Sequence, residues 1–408
     1  MDLDRYDVVI VGGGPIGCIT GENIKHHKVL IVEEHSTVGV PLQCGGLVSR
    51  KGVRELGYPK GVVNKVKGAY IFSKNRCIKI EDRDIRAYVF ERKIMDKDIA
   101  KRVSKKVDFL LKAYGRLVKT PYCQEENRSE DILNFKNQVK RERKYSLSVN
   151  FMGDNYYLNP KVIVGADGVK SSIGRSAGIP MIREVLSGAQ LEMVNVDVDS
   201  DFVYVFLDKS YSKDFFAWII PMGEDRVRVG LCDTSDGYNK LINLIENHPV
   251  VSQMLKGGVP VEFSVGALPI GYAKETVKNN LLLVGDAAGH VKPLSGGGLY
   301  YGAKCAKICG SVIEEYLREE HDIGYLKKYH KLWKREIWRE IDFGLKFRHV
   351  LKKMDDNKID KLLEFIEKNE LIGYIVEKGD IDNPSKVLEG IFKKFLGCCI
   401  KSLLNKSE

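Results

Sequence analysis

The chain carries nine cysteines among 408 residues, yet no C-x-x-C pair. An odd count without paired spacing argues against a disulfide framework and against the usual zinc and iron–sulfur signatures, and points to a reducing cytosol. No apolar stretch approaches the roughly 20 residues that a membrane-spanning helix needs. The first residues, Met-Asp-Leu-Asp-Arg, run straight into an apolar strand, so no secretory segment is expected. Eight histidines show no pair at ligand spacing, and no metal site is expected. No internal repeat stands out at periods of 20–50 residues. The formal charge of +10 favours acidic partners, namely nucleic acid, anionic lipid or a phosphorylated substrate. Nucleic acid is set aside because the lysines are scattered and no recognised module is present. A solvated lysine-rich surface is the default for the remainder. Hydrophobic content of 44% and the length suit a globular protein of two or three domains.

What is present begins at Tyr6–Glu34. Asp7-Val-Val-Ile-Val11 is an apolar run of strand length, Gly12-Gly-Gly14-Pro15-Ile-Gly17 breaks it and opens a helix, and Lys28-Val-Leu-Ile-Val-Glu33 is a second buried strand. Gly12 permits a tight turn, Gly14 lets backbone approach a pyrophosphate, and Gly17 lets helix and strand pack closely. The helix start offers free N–H groups and a positive dipole end to phosphates. Glu33, at the end of the second strand, is placed to accept from a ribose. Together these predict a dinucleotide site.

Farther along, Gly39-Val-Pro-Leu-Gln-Cys44-Gly45-Gly46 is either backbone that must come close to a flat or charged group, or a turn holding a buried cysteine. Short strands are expected at 68–72, 77–80 and 87–90, and a helix over 91–105 with Ile94, Ile99 and Val103 inward. The charged stretch 124–144 reads as an exposed excursion. Lys161-Val-Ile-Val-Gly165-Ala-Asp167-Gly168 is a second strand ending in an acid, followed by serines suited to capping a helix. The aromatic strands around Phe202–Phe206 and Phe215–Ile220 suit a sheet core or the wall of an apolar cavity. Leu281-Leu-Leu-Val-Gly285-Asp286-Ala-Ala-Gly289-His290, continuing to Pro293-Leu-Ser-Gly296-Gly297-Gly298, repeats the strand-to-turn logic. Asp286 would meet a sugar-chain hydroxyl, and the glycine run would offer N–H groups. His290 reads as a loop residue. Cys305 and Cys309 read as small apolar packing. The end of the chain is helical by period, and Ile391–Leu404 has an apolar face suited to docking on its own domain or resting on lipid.

Three strand-end turns of this kind resemble the FAD-binding framework of the p-hydroxybenzoate hydroxylase superfamily, and Glu91-Arg92 looks like that family's arginine-bearing helix start. Pro41-Leu-Gln-Cys44-Gly45-Gly46 and the late glycine turns resemble the geranylgeranyl reductases, whose archaeal branch saturates the chains of digeranylgeranylglycerol phospholipids. Two stretches depart from that pattern: Leu47 replaces a third glycine, and Phe216-Ala-Trp218-Ile-Ile220-Pro221 keeps the Trp and Pro of an aromatic-x-Trp-x-Phe-Pro motif but has Phe in place of Tyr and Ile in place of Phe. The resemblance implies an α/β fold: a Rossmann-like FAD-binding domain (1–65, 91–180 and 275–320), an antiparallel β-sheet substrate domain (66–90 and 181–274) and a C-terminal helical region (321–408). It also implies FAD held by Gly12, Gly14, Pro15, Gly17, Glu33, Cys44, Gly45, Arg92, Asp167, Gly285, Asp286, Pro293, Gly296, Gly297 and Gly298. The reacting alkene would lie near Cys44, Gly45 and Gly46, against a wall of Phe215, Phe216, Trp218 and Pro221. Whether Cys44 donates a proton, positions the alkene or shapes the pocket stays open.

The implied partners are a geranylgeranyl lipid and an electron donor, whether NAD(P)H, a ferredoxin or another reduced carrier. The expected location is the cytoplasm, with contact at the inner face of the cell membrane. Two rivals stand beside this reading: a flavin monooxygenase of the same framework acting on a small aromatic, and an FAD redox carrier without a lipid substrate.

Overall fold

The computed structural model describes residues 5–119, 145–180, 182 and 184–404. The excursion expected at 124–144 lies outside them. Four sheets organise the described residues. Four short strands buried at every position, Val8–Val11, Val29–Glu33, Val162–Gly165 and Leu281–Leu283, form the centre of a six-stranded sheet completed by Val277–Lys278 and Asp108–Leu111. Every pairing in it is parallel except the first edge pair. Strands buried on both faces read as unbroken Val/Ile/Leu runs, and these four do. Helices Pro15–Glu22, Arg92–Val103 and Leu299–Arg318 cover one face, together with Trp333, which is fully buried and donates from Nε1 to Thr276 Oγ1 at 2.9 Å. The other face is covered by the three-stranded sheet Ala113–Lys119, Tyr145–Phe151 and Asp154–Leu158.

A seven-stranded sheet runs Val259–Ile270, Glu184–Val194, Val227–Asp233, Ala217–Pro221, Phe202–Phe206, Gly68–Phe72 and Cys77–Glu81. It is antiparallel apart from one parallel junction, Phe202–Phe206 with Gly68–Phe72. The strand Ala87–Phe90, expected in this sheet, instead pairs with Leu47–Ser49 and Val62–Val66 in a small sheet beneath the Cys44 loop. Along Ala217–Pro221 the side chains alternate: Ala217 and Ile219 enter the core under helix Gly237–Asn247, while Trp218 and Ile220 face the small sheet.

The inward face of helix Arg92–Val103 is Met95, Asp96, Ile99 and Val103, whereas Ile94 is exposed. Cys305 and Cys309 are buried free thiols, and burial raises both above the usual thiol range. The C-terminal residues fold as helices, ending with Ser385–Leu404. Within that last helix Val387 and Ile391 are buried, and Phe392 meets Phe347 edge-on, so this part of the apolar face turns inward. Among the described residues no helix is long and apolar enough to cross a membrane.

Candidate active site

The first glycine turn is built for close approach. A Cβ on Gly12 would lie 2.3 Å from Ala166 O, and one on Gly17 would lie 2.0 Å from Gly12 O, so neither position admits a side chain. Gly14 differs, because a Cβ there would meet nothing within 4 Å. It is the N-cap of helix Pro15–Glu22, with Pro15 at the first helical position and no side chain capping the helix. An uncapped helix start facing open space is an anion site in waiting. Glu33 is buried behind this turn. Its Oε2 accepts from Gly13 N at 2.7 Å, and its Oε1 accepts from His35 N at 2.9 Å and lies 2.6 Å from His35 Nδ1. Three of a carboxylate's roughly four acceptor positions are thus taken within the chain.

The late turn meets the first one directly. A Cβ on Gly285 would lie 3.0 Å from Ile16, and one on Gly298 would lie 2.8 Å from Asp286 Oδ1. Asp286 is half-buried beside Gly298. Burial pushes its carboxyl up to about 6, and the nearby Arg92 guanidinium only partly opposes this. Among the described residues no donor satisfies that carboxylate. The mid-chain turn is different. Asp167 accepts from Ser171 Oγ at 2.7 Å, Ser172 Oγ at 3.3 Å and Ile173 N at 3.1 Å, and so caps helix Ser172–Ser176.

Arg92 brings the cysteine loop into the same place. Burial works against its charge, but the Asp96 carboxylate and the Cys44 sulfur beside it raise it above the usual range. It forks onto Asp96 with two bonds of 2.9 Å. Cys44 Sγ accepts from Gly46 N at 3.4 Å. Gly46 has φ of +79°, and a Cβ there would lie 2.4 Å from Phe90 O. The loop is held by a residue that sequence patterning missed. Arg228 is fully buried and donates to Glu192 Oε2, Glu91 Oε2, Phe90 O and Gly45 O at 3.0–3.4 Å. Asp382, 1% exposed, ties further parts together by accepting from Ser49 Oγ at 2.6 Å and Lys292 Nζ at 2.9 Å.

The aromatic wall abuts this loop. A Cβ on Gly45 would meet Ile220 at 2.8 Å, Gln190 Oε1 at 3.5 Å and Trp218 Nε1 at 3.9 Å. Trp218 Nε1 donates to Gln190 Oε1 at 3.2 Å, and Gly230 leaves the room that the indole occupies. Phe216 meets Trp218 edge-on at 6.0 Å, and Phe215 stacks on Phe216 at 4.3 Å. Phe215 Cζ lies 3.6 Å from where a Cβ of Gly296 would stand, which joins the wall to the glycine run. Pro293 packs on Gly344, and Gly297 on Lys292.

Pro221 does not belong to this wall. Strand alternation turns it to the opposite face from Trp218, and its carbonyl accepts from Asn64 Nδ2 at 3.1 Å. His290 does lie in the loop that follows the late turn. It is fully buried, its Nδ1 accepts from Gly285 N at 3.2 Å, and its ring lies 4.8 Å from that of Trp333. Burial, with His330 nearby, lowers it to about 3. No cluster of His, Cys, Asp or Glu among the described residues could hold a metal.

The residues fit FAD: an uncapped helix start over open space would take the pyrophosphate, and a half-buried acceptor without a donor would take a hydroxyl of the chain. A family model described as an FAD binding domain matches residues 124–343, just over half of the chain. The protein is therefore an FAD-binding oxidoreductase of the p-hydroxybenzoate hydroxylase type. The digeranylgeranylglycerophospholipid reductase of Methanococcus vannielii is 32% identical over 90% of this chain and 92% of its own. An uncharacterised protein of Methanocaldococcus jannaschii is 52% identical over 96% of both chains. The crystal structure of a geranylgeranyl bacteriochlorophyll reductase-like protein from Thermoplasma acidophilum aligns with a TM-score of 0.79 at 26% identity, covering 95% of this chain and 99% of that one. Within the FAD oxidoreductases the chain belongs to the geranylgeranyl reductase family.

Proposed function

We propose that the protein saturates carbon–carbon double bonds in the geranylgeranyl chains of archaeal-type membrane phospholipid precursors. The observation that carries this reading is the contact of Gly45 with Trp218, Gln190 and Ile220, which makes the loop beside the cofactor site and the apolar wall one continuous surface. When bound and reduced, FAD supplies the hydride equivalent that no side chain can. The chain's own task is placement. Arg228 fixes the backbone of Gly45, so an alkene lying on Trp218 is held at one height above the loop. Phe215 and Phe216 extend the apolar track away from it. Cys44, beside Gly45 in the loop that meets that track, is the candidate to supply the proton or to position the alkene. Arg92 and Asp286 would hold the cofactor, and Glu33 keeps the first turn shaped through Gly13. The electrons would come from NAD(P)H, a ferredoxin or another reduced carrier. We place the protein in the cytoplasm, meeting its lipid at the inner face of the membrane.

The test is anaerobic. Holoenzyme reduced by dithionite is mixed with a digeranylgeranylglycerol phospholipid, flavin absorbance is followed, and the lipid is then weighed by mass spectrometry. Reoxidation with a gain of two hydrogens per double bond is expected. Absence of reoxidation by any polyprenyl compound, with rapid oxygen-coupled oxidation of NAD(P)H in a separate aerobic assay, would favour the monooxygenase.

A further inference from the structure

Resting on that reading of the substrate, we propose that a pocket at the C-terminal end of helix Arg339–Lys353 holds the phosphate of an anionic lipid headgroup, with the chain passing over Phe215 toward Trp218. The pocket is a half-open recess of roughly 400 Å³, lined by Arg348, His349, Lys352 and Lys353 and by the carboxylate of Glu184, beside the apolar Ile270 and Leu345. Cations next to aliphatic surface suit the junction between a phosphate and a hydrocarbon chain.

Arg348 carries the case. It is 5% exposed, and its guanidinium carbon lies 5.4 Å from the centroid of the Phe215 ring. Its Nη1 donates to Asp214 O and its Nη2 to Glu184 Oε1, but its buried Nε finds no acceptor among the described residues. A buried cationic donor left open calls for a partner. The surrounding charge does not supply one. Glu184 is shared between Arg348 and Lys352, and Asp214 also takes Lys352, while Lys353 has no carboxylate partner among the described residues. Three cations therefore face two carboxylates, leaving an excess of positive charge around the pocket that Arg348 lines.

Complementing the helix dipole accounts for Lys352 and Lys353, which lie in the last turn. It does not account for Arg348, which lies more than a turn back and is buried on an aromatic ring. Lys209 Nζ also donates to Lys352 O at 3.4 Å, which occupies part of the helix end that would otherwise repel an anion. The pocket joins the wall through Leu345, which packs in one cluster with Phe215, Trp218 and Leu268. Gly344 rests on Pro293 of the glycine-rich loop. One helix thus touches the cofactor loop, the aromatic track and the basic pocket. A guanidinium with a neighbouring ammonium recognises phosphate by charge-assisted hydrogen bonds. Free phosphate would use the same donors, so the attached chain is what separates the two sources.

The FAD-loaded protein is titrated calorimetrically with geranylgeranyl phosphate, geranylgeraniol and inorganic phosphate, as wild type, Lys353→Glu and Arg348→Met. Flavin absorbance and melting temperature report folding, and the exposed Lys353 keeps the test alive if Arg348→Met fails to fold. The phosphorylated chain is expected to bind at least about tenfold more tightly than either other ligand, and Lys353→Glu to shrink the phosphate-over-alcohol ratio by about tenfold. A wild-type ratio near one, or a ratio preserved in Lys353→Glu, would overturn the pocket while leaving the lipid reading intact. Equal affinity for inorganic and geranylgeranyl phosphate would assign a free-phosphate site and overturn the headgroup. If neither chain binds while inorganic phosphate still does, and Lys353→Glu weakens it, the lipid reading falls and the anion pocket survives.

Discussion

Two neighbouring strands of the parallel sheet, Val162–Gly165 and Leu281–Leu283, each lead into a turn bearing an aspartate, yet the two carboxylates live in opposite circumstances. Asp167 is engaged by two serine hydroxyls and a backbone amide of the helix it caps. Asp286 is half-buried with Arg92 nearby and no donor among the described residues. Position at the end of a strand is therefore not what marks a ligand contact. What marks it is acceptor capacity that the fold's own donors leave unfilled. We propose that Asp286 meets the bound group and that Asp167 serves the turn it sits in.

The largest effect should come from Asp286→Ala. Loss of a charge-assisted hydrogen bond in a half-buried site should weaken FAD binding on the order of 10- to 100-fold, read by flavin fluorescence titration of the apoprotein. The apoprotein should lose no stability at neutral pH, because the change removes a half-buried charge that no donor of the fold satisfies. An affinity within twofold of wild type would erase the contrast between the turns.

Acid should reproduce part of that loss without mutation. Burial raises the Asp286 carboxyl to about 6, above its ordinary 3.8. In the apoprotein a raised carboxyl contributes stability that is fully present below about 4 and disappears as pH climbs through about 6. A hydroxyl donor needs the ionised form, so FAD affinity should run the other way. It should be roughly tenfold weaker at pH 5 than on its plateau above 7, following the protonated fraction. Asp286→Asn should flatten this slope and Asp167→Asn should keep it. A slope that survives in Asp286→Asn would assign the titration to another group.

The glycine turns were legible because their causes are local: a strand, a turn that tolerates no Cβ, and a helix start lie within ten residues of one another. The same locality made the two aspartates look alike, since the serines that occupy Asp167 follow it immediately while the emptiness around Asp286 is made by distant segments. Arg228 was illegible for that reason. Within Val227-Arg-Val-Gly-Leu it reads as the outward residue of an alternating strand, yet it is fully buried because its partners lie 36 to 183 residues away. A charge followed on its own face by Gly230 and Cys232 rather than by further polar residues was the available signal. Gly230 could have been flagged beside it, as a glycine in mid-strand often yields to a neighbouring bulk, here the Trp218 indole. Pro221 was misjudged because the motif was taken as a unit, although period-two alternation separates it from Trp218. Asp382 and the basic end of helix Arg339–Lys353 gave no pattern, because their meaning lies in what the fold sets against them.

The smallest effect tests the other half of the contrast. Asp167→Ala removes three acceptances at the start of a five-residue helix, among them the bond from Ile173 N at 3.1 Å. Ser171 continues to cap the helix by accepting from Gly174 N at 2.9 Å, so the loss is partial. Stability should fall by about 1 kcal/mol in urea denaturation, the usual cost of deleting a cap. FAD affinity should move less than about threefold, since well under 1 kcal/mol of that change is transmitted to the crevice. The ordering of the two variants then crosses over: Asp286→Ala is poor in cofactor and sound in fold, and Asp167→Ala the reverse. Should Asp167→Ala lose FAD as severely as Asp286→Ala while its denaturation midpoint holds, Asp167 must leave its serines when the cofactor arrives, and the two turns are equivalent after all.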